Sequence, residues 1–322
     1  MKKTETINTS HGGNCPAKIR IGTRASRLAV AQAQEVKNRL LGAFPELTQT
    51  QIEIIKIETT GDRIQDRHLA EIGGKGLFTK EIEEGLQSGA IDIAVHSMKD
   101  MPAEFPEGLI IPCILEREDA RDAFLSHKVK NCMELPKGAV VGTSSVRRQS
   151  QLLSARPDLK VVQFRGNVIT RLEKLKRGDV DATFLAVAGL KRIEMADAIT
   201  SVVDPKTMIP AVAQGAIGVE CLSKHGHLLK VLDKINHAPS FDRVTAERAF
   251  LQELGGSCTT PMGCLAEIQG NTMTIHAMVA AVDGSEIHRA VRSGKVSDAI
   301  AMGRDLGQEL KKKGGHVLTW KR

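Results

Sequence analysis

Tyrosine is absent from the 322 residues, tryptophan occurs once, and aromatic side chains together make up 3%. Binding of single-stranded nucleic acid relies on bases stacking on aromatic rings, so that class is disfavoured at the outset. No Cys-x-x-Cys pair occurs among the cysteines at 15, 113, 132, 221, 258 and 264, and no histidine stands at a metal-finger spacing. Neither a disulfide framework nor a metal site is expected. Long apolar runs are missing too. Residues 1–17 pass from Met1-Lys2-Lys3 through Thr, Asn, Ser, His and Gly without an apolar core. The reading is a flexible N-terminal tail over 1–17, no signal peptide, no membrane span and a cytoplasmic protein.

What is present is positive charge. A formal net charge of +7 and a sequence pI near 9.1 ask for an anionic partner. No helix-turn-helix or finger pattern supports nucleic acid, and the alternative is that a modest positive charge only aids solubility. The chain is too long for one small core, so two or three domains are expected.

The first two-thirds of the chain says one thing twice. Ile19-Arg20-Ile21 runs into Gly22-Thr23-Arg24-Ala25-Ser26, and Val140-Val141 runs into Gly142-Thr143-Ser144-Ser145-Val146-Arg147-Arg148. Each reads as a strand, a Gly-Thr turn with a capping Ser, then a helix. Strand-like runs follow at Ile52 to Ile57 and Val161 to Arg165. Leu86-x-x-Gly89-x-Ile91-Asp92 then leads to Ile93-Ala94-Val95, as Leu175-x-x-Gly178-x-Val180-Asp181 leads to Thr183-Phe184-Leu185. Two α/β lobes with mainly parallel sheets are implied, with a ligand cleft between them at strand ends and helix N-termini. Beyond about residue 238 the pattern changes to a helix from Asp242 to Leu254, three strands near Leu265–Ile268, Met273–Ala281 and Glu286–Val291, and a last helix from about Val296 to Lys312. That is a small α+β domain. The proposed division is lobe 1 over 18–116 and 214–236, lobe 2 over 117–213, and the third domain over 237–322.

Four motifs carry chemistry. Gly73-Gly74-Lys75-Gly76 lacks the spacing of a phosphate-binding P-loop and reads as a lid or an ordinary surface loop, with Lys75 and Lys80 as its cations. His96-Ser97-Met98-Lys99-Asp100 ends an apolar strand, where catalytic groups of α/β folds sit, although a lone Asp there also serves as a cap or ion-pair partner. Ser145, Arg147, Arg148, Arg165 and Arg171 recur at turns, and guanidinium forks suit a ligand with several carboxylates. Taken singly, each would be a solvated surface arginine. Cys258 sits in Gly255-Gly256-Ser257-Cys258-Thr259-Thr260-Pro261 with no neighbouring base, so residue chemistry alone stops at a reactive thiol of unknown use.

These segments resemble the porphobilinogen deaminase family, in the family's order, over roughly residues 18 to 265. The match is carried by His96-Ser97-Met98-Lys99-Asp100-Met101-Pro102, Gly142 through Gln149, Arg165-Gly166-Asn167-Val168 through Leu172, Ala186-Val187-Ala188-Gly189-Leu190-Lys191-Arg192, Pro210 through Gly215, and Gly256-Ser257-Cys258. Departures are small: Arg27 stands where Pro is often seen, and Met101 where Val is common.

The resemblance implies two periplasmic-binding-protein-like α/β lobes around a central cleft plus the small C-terminal domain. It also implies a monomeric transferase of tetrapyrrole and haem biosynthesis. Four porphobilinogen molecules would be condensed head to tail, with loss of ammonia, into hydroxymethylbilane on a dipyrromethane cofactor held by a thioether to Cys258. Each ammonia loss leaves a cationic azafulvene-like species, and a carboxylate beside the pyrrole N–H would stabilise it at every round. Asp100 is the catalytic candidate. Cofactor contacts fall to Cys258, Arg147, Arg148, Ser145, Lys99, Asp100 and Arg171, and substrate contacts to Arg24, Ser26, Arg165, Arg192 and Gln214. A non-catalytic two-lobed anion-binding protein would need neither Asp100 nor Cys258 and would usually be exported. A nucleic-acid binder would show steep salt dependence and consume no porphobilinogen.

Overall fold

A computed structural model describes residues 18–63, 79–257 and 259–318. Lobe 1 begins with β1 (Ile19–Arg24), β2 (Ile52–Ile57), β3 (Ile93–Ser97) and β4 (Leu109–Ile114), and lobe 2 with β5 (Asp122–Ser126), β6 (Val140–Gly142), β7 (Lys160–Val162), β8 (Ala182–Ala186) and β9 (Ser201–Val202). The chain then returns to lobe 1 as β10 (Ile217–Leu222). Strand order is β2-β1-β3-β10-β4 in one sheet and β7-β6-β8-β5-β9 in the other. The repeat seen in the sequence is therefore a repeat in space.

Each sheet has a parallel trio, β2-β1-β3 or β7-β6-β8, followed by one reversed strand, β10 or β5. The expectation of mainly parallel sheets is corrected to mixed ones. The reason is connectivity: β5 and β10 are the first strands after the chain crosses between lobes, and each enters its sheet from the crossing side. Strands β3, β5 and β10 are buried at nearly every position, as strands covered on both faces must be.

Helices cover the lobes: α1 (Arg27–Ala43), α2 (Thr60–Arg63) and α3 (Lys80–Gln87) in lobe 1, α4 (Val146–Ala155), α5 (Val168–Arg177) and α6 (Val187–Arg192) in lobe 2, and α7 (Gly226–Asp233) back on lobe 1. Ser26, Ser145 and Asn167 accept from the third residue beyond them and so cap α1, α4 and α5. Strand β7 stops three residues short of the expected Arg165. There the Phe164 N–H leaves the ladder and donates to Ser144 Oγ at 3.1 Å.

In the third domain α8 (Ala238–Leu254) and α9 (Ala299–Gly314) pack on an antiparallel sheet of β11 (Met262–Gln269), β12 (Thr272–Ala280) and β13 (Ile287–Lys295). Helix α8 starts four residues ahead of the expected Asp242, because Pro239 fits a first turn that needs no N–H from it. Its Glu247, fully buried, holds both crossings. Arg117 on the outgoing one donates to Glu247 at 2.6 and 3.1 Å and to the Gln214 carbonyl at 2.8 Å. Ala213 N on the return donates to Glu247 at 2.6 Å, and Ala266 N of β11 donates at 2.8 Å. One carboxylate thus joins two lobes and a domain.

Candidate active site

Asp100 ends the single turn Met98–Asp100 that follows β3, with its side chain exposed to the cleft. Met98 and Met101 on either side are buried and anchor that turn. Gly218 of β10 makes room for the anchor, since a Cβ there would lie 2.1 Å from Met98 Sδ. Below it, His96 pairs with the buried Glu220 at 3.0 Å, and Ser97 exchanges hydrogen bonds with Gln32 of α1 at 2.8 and 3.0 Å. A rigid strand end therefore presents one carboxylate to a cavity of about 60 Å³ that Arg24, Ser26 and Asp100 help line. Ser26 spends its hydroxyl on the cap of α1, and Arg27 opens that helix regularly despite standing where Pro is common.

Opposite, at the start of lobe 2, lies a buried ionic centre that the sequence reading missed. Asp122 of β5 accepts from Arg147 Nη1 at 2.8 Å, from Arg148 Nε and Nη2 at 3.1 and 2.7 Å, and from Gln214 Nε2 at 2.9 Å. Burial alone would raise its carboxyl, yet the two guanidiniums hold it far below the usual carboxylate range. Arg147, Arg148 and Gln214 are thus committed first to a protein carboxylate. An ionisable residue opening the apolar run Ala123-Phe124-Leu125 was the available signal. Arg148 also donates to the Phe184 carbonyl, whereas Arg147 Nε is buried with no partner among the described residues.

Lys99 and Arg171 complete the field. Burial lowers the Lys99 ammonium, Asp100 opposes this, and Arg148 and Arg147 add to it. Arg171 is pulled down to about 10 by burial and by Arg148, against Asp100, while its Nε holds the Gly166 carbonyl at 2.8 Å. Four cations from both lobes therefore crowd around Asp100 and Asp122. Such crowding is relieved by an anionic ligand.

The remaining candidates are spread more widely. Ser145 caps α4 through Arg148 N, and Arg165 is partly buried at the turn before α5. Arg192 is taken up by Glu35 of α1 at 3.0 Å, and Arg27 of α1 reaches the Ile193 carbonyl at 3.0 Å, so these two contacts clasp the lobes on one side. Lys80 lies on the surface beside Glu84, 4.0 Å away, rather than in the cavity. Lys75 and Cys258 lie outside the described residues; among the neighbours of the latter, Thr260 N donates to the Ser257 carbonyl at 3.0 Å.

Comparison with known proteins bears on this geometry. Residues 19–230 match the model described as porphobilinogen deaminase, dipyromethane cofactor binding domain, and residues 241–312 match porphobilinogen deaminase, C-terminal domain. This chain belongs to the porphobilinogen deaminase family. The porphobilinogen deaminase of Paracoccus denitrificans is 54% identical over 293 residues, covering 91% of this chain and 93% of that one. The chloroplastic porphobilinogen deaminase of Oryza sativa subsp. japonica is 52% identical over 302 residues, covering 92% and 84%. Among solved structures, a periplasmic substrate-binding protein from Coxiella burnetii aligns at 15% identity and a TM-score of 0.42, over 69% of this chain and 93% of that one. Members of this family are hydroxymethylbilane synthases, which are transferases. No helix among the described residues is long and apolar enough to cross a membrane.

Proposed function

We propose that this chain joins four porphobilinogen molecules head to tail, releases ammonia at each step and delivers hydroxymethylbilane, using dipyrromethane attached through a thioether to Cys258. The supporting observation is the placement of one exposed carboxylate, Asp100, at a strand end beside Lys99 and Arg171, both of which also feel Arg148. The residues present fit a ligand rich in carboxylates: Arg147 Nε is a buried donor with no acceptor among the described residues, and burial and like charge depress Lys99 and Arg171. When bound, dipyrromethane supplies the nucleophilic pyrrole carbon to which units are added.

The chain's own groups divide the remaining work. Asp100 would face the pyrrole N–H, stabilise positive charge there, and assist proton transfer to the departing amine and from the new ring junction, so that the proton given at one is regained at the other. Lys99, Arg147, Arg148, Ser145 and Arg171 orient cofactor carboxylates. Arg24, Ser26, Arg165, Arg192 and Gln214 serve the incoming substrate, Arg192 and Gln214 through the lobe contacts they make, with Lys75 and Lys80 as further cations. In the same reading, 18–116 with 214–236, 117–213 and 237–322 are the working units, and the enzyme is a cytoplasmic monomer without nucleic-acid or membrane partners.

The test is Asp100→Asn, which keeps shape and removes charge. Turnover should fall by at least about 10²–10³-fold, the scale of losing one preorganised electrostatic stabiliser. The intact mass should still include the cofactor. Turnover near that of the parent would remove Asp100 from the mechanism.

A further inference from the structure

The third domain holds a cluster that the proposed reaction does not use. Glu286 immediately precedes β13 and His288 is its second residue, two positions on, so their side chains leave the extended chain on the same side. Helix α9 packs on the sheet of β13, and the turn after it, Gly315–Val317, brings His316 over that side. Gly314 permits this approach, since a Cβ there would lie 2.6 Å from His288 Cδ2 and 2.7 Å from Val279 Cγ2. The result is convergence of both imidazoles on one carboxylate. His288 Nε2 lies 2.5 Å from Glu286 Oε1, and His316 Nε2 lies 2.9 and 3.1 Å from its two oxygens. The rings stand edge to face, 72° apart, so their nitrogens meet while their bodies stay clear of each other.

We propose that Glu286, His288 and His316 form a binding site for one borderline divalent transition-metal ion, for which Zn(II) is the probe. Their ligand atoms all lie within 4.8 Å of one another. Tetrahedral zinc at roughly 2.0–2.1 Å from each ligand spaces them roughly 3.3 Å apart, so an ion enters with shifts of about an ångström or less. Two imidazoles and a carboxylate suit such an ion better than they suit magnesium or calcium, which prefer oxygen cages. Three protein ligands leave the fourth position to water. The bound ion would tie the start of β13 to the end of α9. Cysteine and histidine spacing in the sequence does not reveal this site, because 28 residues separate His288 from His316 and only the packing of α9 closes the gap.

The experiment is a competition titration of the untagged holoenzyme with Zn(II) against a chromophoric chelator, paired with thermal melts. The parent should bind one ion per chain and melt higher as Zn(II) rises. His288→Ala and the largely exposed His316→Ala should each weaken binding by at least about tenfold, the loss that even outer-shell partners cause, and abolish the thermal shift. His316→Ala guards against a folding artefact. Absence of one-to-one binding in the parent, or unchanged affinity in His316→Ala, overturns the site.

Discussion

Replacing Asp122 with Asn removes one negative charge from a fully buried position and keeps the side-chain shape. In the parent, that carboxylate accepts four hydrogen bonds from Arg147, Arg148 and Gln214. The variant leaves two buried guanidiniums around a neutral amide, with Lys99 close by. Breaking a buried pair from one side costs about 3–5 kcal/mol, because the partner charge stays out of water. Against a total stability of about 5–15 kcal/mol this is large, and it moves a urea midpoint by on the order of 1 M.

The acid limb gives an independent sign. Asp122 has an ordinary value of 3.8 when unfolded and a depressed one when folded, so its contribution is complete above that value and is lost as pH falls. The stability gap between parent and Asp122→Asn should be widest near neutrality and should narrow below about pH 4. Urea unfolding of both holoenzymes from pH 7 downward reads it. A gap under about 1 kcal/mol at pH 7, or one that widens on acidification, would refute the assignment of the buried centre.

Two further outcomes follow from the same structure. Glu247→Gln should cost about 3–5 kcal/mol in urea unfolding, because Arg117 stays buried, and should speed proteolysis at the lobe crossings that Glu247 holds. Arg171→Leu removes a desolvated cation beside Asp100 and should let shorter enzyme-bound chains accumulate, which native mass spectrometry after substrate addition would detect.

Much of this fold is legible because the chain repeats itself. Glycine-threonine turns with capping serines mark the starts of α1 and α4, and β2 and β3 read directly from their apolar runs. The reversed strands were not legible, since β5 and β10 look like any buried strand until the crossings fix their direction. The candidate arginines were legible as residues but not as partners. Sequence spacing holds no trace of Arg147 and Arg148 sharing Asp122 across some 25 residues, or of Arg192 reaching Glu35 in the other lobe. The position of Asp100 at a strand end was legible from the apolar run Ile93-Ala94-Val95 that precedes it.

The central claim is that Cys258 carries two linked pyrroles through a carbon–sulfur bond. The direct measurement is the intact mass of protein denatured in the presence of thiol reductant, followed by peptide mapping. A thioether survives reductant where a disulfide does not. The chain should therefore be heavier than its sequence by two pyrrole units, all on the Cys258 peptide, with the buried Cys264 unmodified. Cys258→Ser should have the bare mass and no activity. An active enzyme whose mass equals its sequence, or whose addition maps to Cys264, would contradict the account.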